Sequence, residues 1–425
     1  MVTAVLLIFF FGTIFTKLPV AIVLGFSALA SIMVQGTIPM TVIVSRMFAG
    51  LDSYTLIAIP MFILAGNLLN ESGATTRLFD FADTLVGRFR GGLGHTNILA
   101  SVLFAGLSGS AVADSAGLGR IEIESMEGKG YPIDYAAAIT VSSAVIGPII
   151  PPSIPMIVFG AMAGESVIKL FAGGIIPGLL TAFMLMIAVF ITSKWIPNFP
   201  APFHASLGQI WHAFKRGILA LIAPIIILGG IFSGLYTPTE ASVMTVFYVL
   251  AIEVFVYRQM KIADYKRIML QTIIDTGAVV LIISMANAFG WVLAIQRIPN
   301  MLTVGLESLN VHPYVILMLI NIILLFLGCF VEGLAVMAIL IPVLVPLIQQ
   351  LGLSTVHFGV LMVFNLMLGT VTPPLGMSLF VISNITKLSV GKIARATVPF
   401  FIPLIITLVI ITLFPQLVLF IPNLL

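Results

Sequence analysis

Gly106-Leu-Ser-Gly-Ser-Ala-Val-Ala-Asp114 and, further along, Gly147-Pro-Ile-Ile-Pro-Pro-Ser153 lie inside long apolar sequence, and both are rich in residues that interrupt a helix. In lipid, an interrupted backbone leaves N–H and C=O groups without partners. That is tolerated only where the backbone is buried in protein or lines a polar cavity. Helix-breaking sequence at membrane depth therefore points to a transport site. The surrounding composition sets the membrane context. The chain has 425 residues, of which 60% are hydrophobic and 8% charged, against about 25% charged in a soluble domain. Its apolar runs are continuous and about 15–25 residues long, the length helices need to span a bilayer. A β-barrel has short alternating segments instead. The expected fold is an all-α polytopic membrane protein.

Several classes fall away on the same grounds. The net charge of +3 is small and spread between spans, and gives no nucleic-acid footprint. The single cysteine, Cys329, excludes an internal disulfide and has no partners for a transition-metal site. There is no Walker A sequence, dinucleotide-binding glycine fingerprint or His-Glu-x-x-His, which argues against ATP-driven transport by this chain alone. Met1 to Phe15 lacks a basic leader and a small-residue cleavage site, and reads as a retained span.

Spans are expected at 2–16, 18–35, 54–74, 168–194, 217–236, 239–257, 274–294 and 396–420, with two broken spans at 132–163 and 357–386. Re-entrant regions are expected at 93–127 and 313–350. Segments 38–51, 75–90, 204–215 and 260–270 mix aromatic and basic residues and read as interfacial arms. With the N-terminus outside, only Arg46, Lys169 and Arg297 of the 19 Lys and Arg fall outside, and the rest, Lys17 included, fall inside. The asymmetry supports re-entrance at both places, since a single crossing at either would invert everything after it. Both termini are then periplasmic.

The chain also resembles itself. Leu-Phe-Ala-Gly ends at Gly106 and Leu-Phe-Leu-Gly at Gly328. Gly-Pro-Ile-Ile-Pro-Pro starts at Gly147 and Gly-Thr-Val-Thr-Pro-Pro at Gly369. Pro177 and Pro399 lie in late spans. Each pair is 222 residues apart. Such coincidences at one offset indicate a duplicated unit. The first copy, about 1–195, begins outside and ends inside. The second, about 216–425, does the reverse. An inverted repeat with broken helices is a common construction for secondary transporters.

The chemistry of the breaks follows from backbone ends. Gly106 and Gly109 permit conformations a helix forbids, while Ser108 and Ser110 supply hydroxyls and carbonyls. A helix C-terminal end favours a cation and the following N-terminal end an anion. The carbonyls of Gly147, Ile150 and Pro152 can complete a Na⁺ site with the serine tip. The repeat pairs Gly328 with Gly369, Thr372 and Leu375 for a second. Close helix packing by small residues and an ion-free proline kink are the plainer readings. Acids at membrane depth are Asp114, Glu240, Glu253 and Glu332, functional candidates by cost. Gly109, Asp114, Ser153 and Glu332 are read as substrate-binding or supporting residues, with a direct ion-ligand role as the alternative for Asp114. Glu332 occupies the repeat position of Ser110. Glu240, following Pro238, reads as a structural acid in the first turn of a helix capped by Thr239 or Thr237.

The tip Leu-Ser-Gly-Ser-Ala-Val-Ala-Asp, the run Ile-Ile-Pro-Pro-Ser-Ile-Pro, the turn Gly-Leu-Tyr-Thr-Pro-Thr-Glu-Ala and the late Thr-Pro-Pro-Leu-Gly resemble the large membrane subunit of tripartite ATP-independent periplasmic (TRAP) transporters. The likeness covers essentially the whole chain. It implies a Na⁺-driven, elevator-type secondary transporter of the bacterial inner membrane, with no cofactor beyond the coupling ion. A scaffold, about 1–90 and 204–295, carries transport elements at about 91–195 and 298–425. The implied partners are a separate small four-helix membrane subunit, a periplasmic binding protein and an organic-acid substrate (a C4-dicarboxylate, sialic acid, or a keto or sugar acid). By motif match, Na⁺ would sit on Ser108, Ser110, Gly147, Ile150 and Pro152, and on Gly328, Gly369, Thr372 and Leu375.

Three other readings compete. A stand-alone Na⁺/carboxylate symporter of the elevator-type divalent anion transporter class shares the hairpin plan but needs no partners. An intramembrane enzyme needs a nucleophile–base pair or metal ligands in the spans, whereas His95, His204, His212, His312 and His357 lie near span ends or loops. A channel fits two isolated half-membrane hairpins less well than alternating access.

Overall fold

The computed structural model describes residues 2–14, 18–109, 111–196, 199–307 and 311–425, and every regular element among them is a helix. The first half comprises α1 (Val2–Ile14), α2 (Val20–Gln35), α3 (Thr41–Ala49), α4 (Ala58–Glu71), α5 (Ala74–Val86), α6 (Gly92–Ser108), α7 (Ala111–Ala116), α8 (Leu118–Gly128), α9 (Ile133–Ser143), α10 (Ile154–Ala163) and α11 (Val167–Thr192). The second comprises α12 (Leu207–Phe232), α13 (Pro238–Ile252), α14 (Ile262–Ile295), α15 (Ile298–Glu307), α16 (Pro313–Gly328), α17 (Gly333–Gln350), α18 (Thr355–Thr370), α19 (Met377–Thr386), α20 (Val390–Leu413) and the short α21 (Gln416–Leu419). Seven helical segments are long and apolar enough to cross a membrane among the described residues.

Element boundaries follow the spacing of the sequence motifs. α5, α6, α9, α10 and α11 begin 221 to 224 residues before α15, α16, α18, α19 and α20 respectively, and the pair α7–α8 precedes α17 by 222. Both proline breaks carry a cis X-Pro bond, at Pro151–Pro152 and Pro373–Pro374. The copies differ at their second hairpin arms. Gly117 divides α7 from α8, whereas α17 runs on through Pro342 and Pro346.

Two expected arms are not separate. Segment 204–215 is the start of α12, and 260–270 the start of the 34-residue α14. The helix starts are fixed by their caps. Ser206 Oγ accepts from Gln209 N at 3.3 Å, while Gln209 Oε1 accepts from Ser206 N at 2.8 Å. Asp264 accepts from Lys261 N at 2.9 Å. Nothing between these caps and the apolar runs interrupts a helix. Gly208 stands in the first turn beside the capping Ser206, and Gly217 lies where a side chain would approach the Arg77 carbonyl to 3.4 Å. α15 has no counterpart among the expected elements, although α5 occupies its repeat position.

The first hairpin leaves and returns at one end of the bundle. The Leu93 N–H at its entry donates to Tyr131 Oη just past its exit, at 3.1 Å. Asp83, before the hairpin, pairs with Lys129 after it at 3.1 Å. Arg267–Glu71 (2.9 Å) and Lys392–Asp134 (3.6 Å) join other segments assigned to the inside. Segments assigned outside meet one another instead. Thr3 and Gln35 both reach Gln296 at 3.4 Å, and Arg46 stacks over Trp291. Lys17 lies outside the described residues. In a Cys329→Ser background, a cysteine at Lys169 is expected to react with an impermeant maleimide from the periplasm, and one at Lys392 to stay unreacted. The reverse pattern would invert the topology.

Within lipid, helix association rests on close packing and interhelical hydrogen bonds rather than on the hydrophobic effect. Gly174 and Gly178 of α11 let the first break lie against the helix, where side chains would overlap the Ile149 carbonyl and the Ile150 side chain. Asn97 donates to Thr140 (2.7 Å) and accepts from Ser143 (2.6 Å), tying α6 to α9. In the second half Asn365 donates to the Asn321 carbonyl, and Asn321 donates to Thr412, both at 2.9 Å. Each such bond contributes on the order of 0.6 kcal/mol.

Candidate functional site

The first hairpin tip is seated on the first break. α6 ends at Ser108, and Gly109 follows in the left-handed region at φ 61°. A β-carbon there would lie 2.8 Å from the Pro152 carbonyl oxygen and 3.2 Å from Ile154 N. Only glycine accommodates both that φ and that approach. At Gly147, a β-carbon would overlap the carboxylate of Asp114, so the acid of α7 lies directly against the break. Ser153 caps α10. Its Oγ donates to the Pro148 carbonyl and accepts from Met156 N at 3.3 Å. Gly109, Asp114, Gly147, Pro152 and Ser153 thus form one cluster, with Ile150 turned onto α11. Ser110 and the Ser108 side chain lie outside the described residues.

The second half repeats the arrangement with different residues. Gly328, at the end of α16, touches Gly369 backbone to backbone. A β-carbon on Gly369 would lie 2.6 Å from Gly328 Cα and 2.7 Å from its carbonyl oxygen. Thr372 Oγ1 donates to the Leu368 carbonyl at 2.6 Å, which fixes its rotamer. The Thr370 and Thr372 carbonyl oxygens both face Gly376, each 2.9 Å from where its β-carbon would be. Leu375 sits in the same turn with its side chain exposed. Glu332 is a helix cap. Its oxygens accept from Leu334 N at 3.1 Å and Ala335 N at 2.9 Å, at the start of α17. Gly328, Gly369 and Thr372 are brought together, and Glu332 stands beside them turned onto its own helix.

A cavity of about 330 Å³ lies between the two tips. Gly109, Ala111, Val112 and Glu332–Leu334 form part of its wall, with Pro148, Ile154, Thr370 and Met377 from the edges of the breaks. The opposite wall comes from α4 and α14 and carries Asn67, Asn70 and Asp275. Asn67 donates to Thr272 at 3.2 Å, and Asp275 accepts from Gln271 Nε2 at 2.8 Å. Asn70 Oδ1 is buried without a hydrogen-bond partner. No Lys, Arg or His lines the cavity among the described residues.

These three polar residues are absent from the sequence reading, which weighed charge and helix breaks. The available signal was their spacing. Asn67 and Asn70 stand at i and i+3, and Gln271 and Asp275 at i and i+4, so each pair shares one face of a helix. Glu122 was also missed. It is buried in α8, close to Thr140, Asn97 and Asp114. Glu253 accepts from Gln259 N and Met260 N, both at 2.6 Å, closing the end of α13, and so holds the backbone. Of the two candidate threonines Thr237 is the cap of α13, accepting from Glu240 N at 3.2 Å, while Glu240 accepts in return from Thr237 N at 2.8 Å.

Residues 7–417 match the family described as tripartite ATP-independent periplasmic transporter, DctM component. The chain belongs to that family. This DctM-family protein is 40% identical over 413 residues to the sialic acid TRAP transporter large permease protein SiaM of Vibrio cholerae, covering 97% of this chain and 96% of that one. It is 36% identical over 400 residues to the C4-dicarboxylate TRAP transporter large permease protein DctM of Pseudomonas aeruginosa, covering 94% and 93%. Against the 2,3-diketo-L-gulonate TRAP transporter large permease protein YiaN of Escherichia coli it is 37% identical over 369 residues, covering 87% of each. The structure of the Alcanivorax borkumensis YdaH transporter superposes at a TM-score of 0.63 over 88% of both chains with 14% identity, a likeness of fold. The protein is therefore a multi-pass inner-membrane permease subunit, and its relatives are transporter components rather than enzymes.

Proposed function

We propose that this TRAP large permease subunit imports an organic acid by Na⁺ symport, with one Na⁺ bound where each hairpin tip meets its proline break. The observation that carries the reading is the double seating of Gly109 on Pro152 and of Gly328 on Gly369. The first places the end of α6 against unwound backbone, and the second places the end of α16 against the last turn of α18, just ahead of its break. Such ends favour a cation. Ser108, Ser110, Gly147, Ile150 and Pro152 supply oxygens for the first ion, and Gly328, Gly369, Thr372 and Leu375 for the second. Asp114, lying against Gly147, steadies the first site and offsets the ion's charge.

The substrate occupies the cavity between the tips. Its walls divide along the line expected for an elevator, with α4 and α14 in the scaffold and the hairpins and breaks in the moving part. The inverted relation of the two repeats brings both tips to the same depth. A periplasmic binding protein delivers the acid, and a small membrane subunit completes the scaffold.

The test is uptake in proteoliposomes, with and without Na⁺, binding protein and small subunit. Uptake that needs all three supports the reading, while uptake by this chain alone favours a stand-alone symporter. Ser110→Ala and Thr372→Val each remove one oxygen ligand, and each is expected to weaken apparent Na⁺ affinity about tenfold while assembly with the small subunit persists. Unchanged Na⁺ dependence in both would remove the site assignment.

A further inference from the structure

We infer that the cavity is built for a hydroxylated monocarboxylate and discriminates against compact dicarboxylates, with Asp275 and Asn70 making the distinction. This rests on the transport reading above and narrows its substrate class.

The argument begins with charge. Two carboxylates, Asp275 and Glu332, line the cavity, and among the described residues no cationic side chain does. Glu332 spends both oxygens on the Leu334 and Ala335 N–H groups. Positive potential for a substrate carboxylate then has to come from backbone N–H groups and bound cations, and both belong to the wall formed by the tips. One carboxylate can be held there.

The facing wall has the opposite chemistry. Asp275 already accepts from Gln271 Nε2, and its carboxylate has only acceptors to offer a ligand. Asn70 presents a buried Oδ1 that lacks a donor, and a buried acceptor left unpaired is costly. A hydroxyl or amide N–H satisfies both residues by donating to them. A second carboxylate satisfies neither. It sets lone pairs against Asn70 Oδ1 and like charge against Asp275, in surroundings that strengthen the repulsion. Size agrees, because about 330 Å³ is more than a diacid as small as succinate fills.

The binding protein imposes its own selectivity, so the test omits it. The large subunit with its small partner, in nanodiscs, is titrated with gluconate, N-acetylneuraminate and succinate in Na⁺ and in choline, read by thermal shift. In Na⁺ the two hydroxylated monocarboxylates are expected to stabilise the complex at concentrations at which succinate does not. Asp275→Asn is expected to lower the succinate midpoint on the order of tenfold. Asn70→Ala is expected to raise the midpoints of gluconate and N-acetylneuraminate by a similar factor. Succinate binding as well as the monocarboxylates, or an unchanged preference in Asp275→Asn, overturns the inference. Na⁺-dependent uptake of succinate from a loaded binding protein also overturns it, yet leaves the transport reading standing. Failure of all three acids to bind, together with Na⁺-independent uptake, removes both.

Discussion

Gly369→Val is expected to lower substrate uptake on the order of a hundredfold, because overpacking a rigid contact by this much costs about 3 kcal/mol. The new β-carbon would lie within 2.7 Å of the Gly328 carbonyl oxygen and closer still to its Cα and carbonyl carbon. Those atoms are backbone, so no rotamer change relieves the overlap. The second tip has to lift off the last turn of α18, and both the proposed cation site and one wall of the cavity open with it. Gly391→Ala in α20 is the control. A β-carbon there meets nothing within 4 Å, and alanine is the better helix former. Uptake in that variant should match the wild type and its melting temperature should not fall. Near-normal uptake by Gly369→Val would mean that the contact of tip and break is dispensable.

Glu332→Ala is expected to have the next largest effect. Two backbone N–H groups at the start of α17 now donate to the Glu332 carboxylate. Hydrogen bonds to a charged acceptor are worth about 1.5–3 kcal/mol, and in lipid the orphaned donors have little water to turn to. The tip should fray, lowering both the melting temperature of the purified complex and the uptake rate. Asp is a favoured N-cap, so Glu332→Asp should recover much of both. If Glu332→Ala kept its melting temperature but lost Na⁺ dependence, the carboxylate would be acting on the ion rather than on the helix.

The legible part of the fold is the part written in backbone chemistry. Glycines and prolines change what the chain can do wherever they stand. The breaks at Gly147–Ser153 and Gly369–Gly376 could therefore be placed from sequence, and their common offset showed that they correspond. Caps were legible for the same reason, as at Thr237 and Glu240. Helix continuity was not. Amphipathic and apolar stretches of α14 differ in composition, yet nothing between Lys266 and Ile274 stops a helix, so a change of face was read as a change of element. Asn67, Asn70 and Asp275 escaped because their meaning depends on which wall they face. That is fixed by the packing of α4 against α14, which periodicity alone does not supply. Asp114 illustrates the converse. Sequence placed it near the tip, and the fold brings its carboxylate against Gly147.

The central claim is that two cation sites, one at each tip, drive the transport cycle. The most direct measurement is the initial rate of uptake against external Na⁺ concentration. It uses proteoliposomes holding both membrane subunits and supplied with loaded binding protein. Two sites that fill together predict a sigmoidal dependence with a Hill coefficient above one, bounded by the number of sites, and no uptake when K⁺ or choline replaces Na⁺. A rate that is independent of Na⁺, or sustained equally by K⁺, would contradict the account.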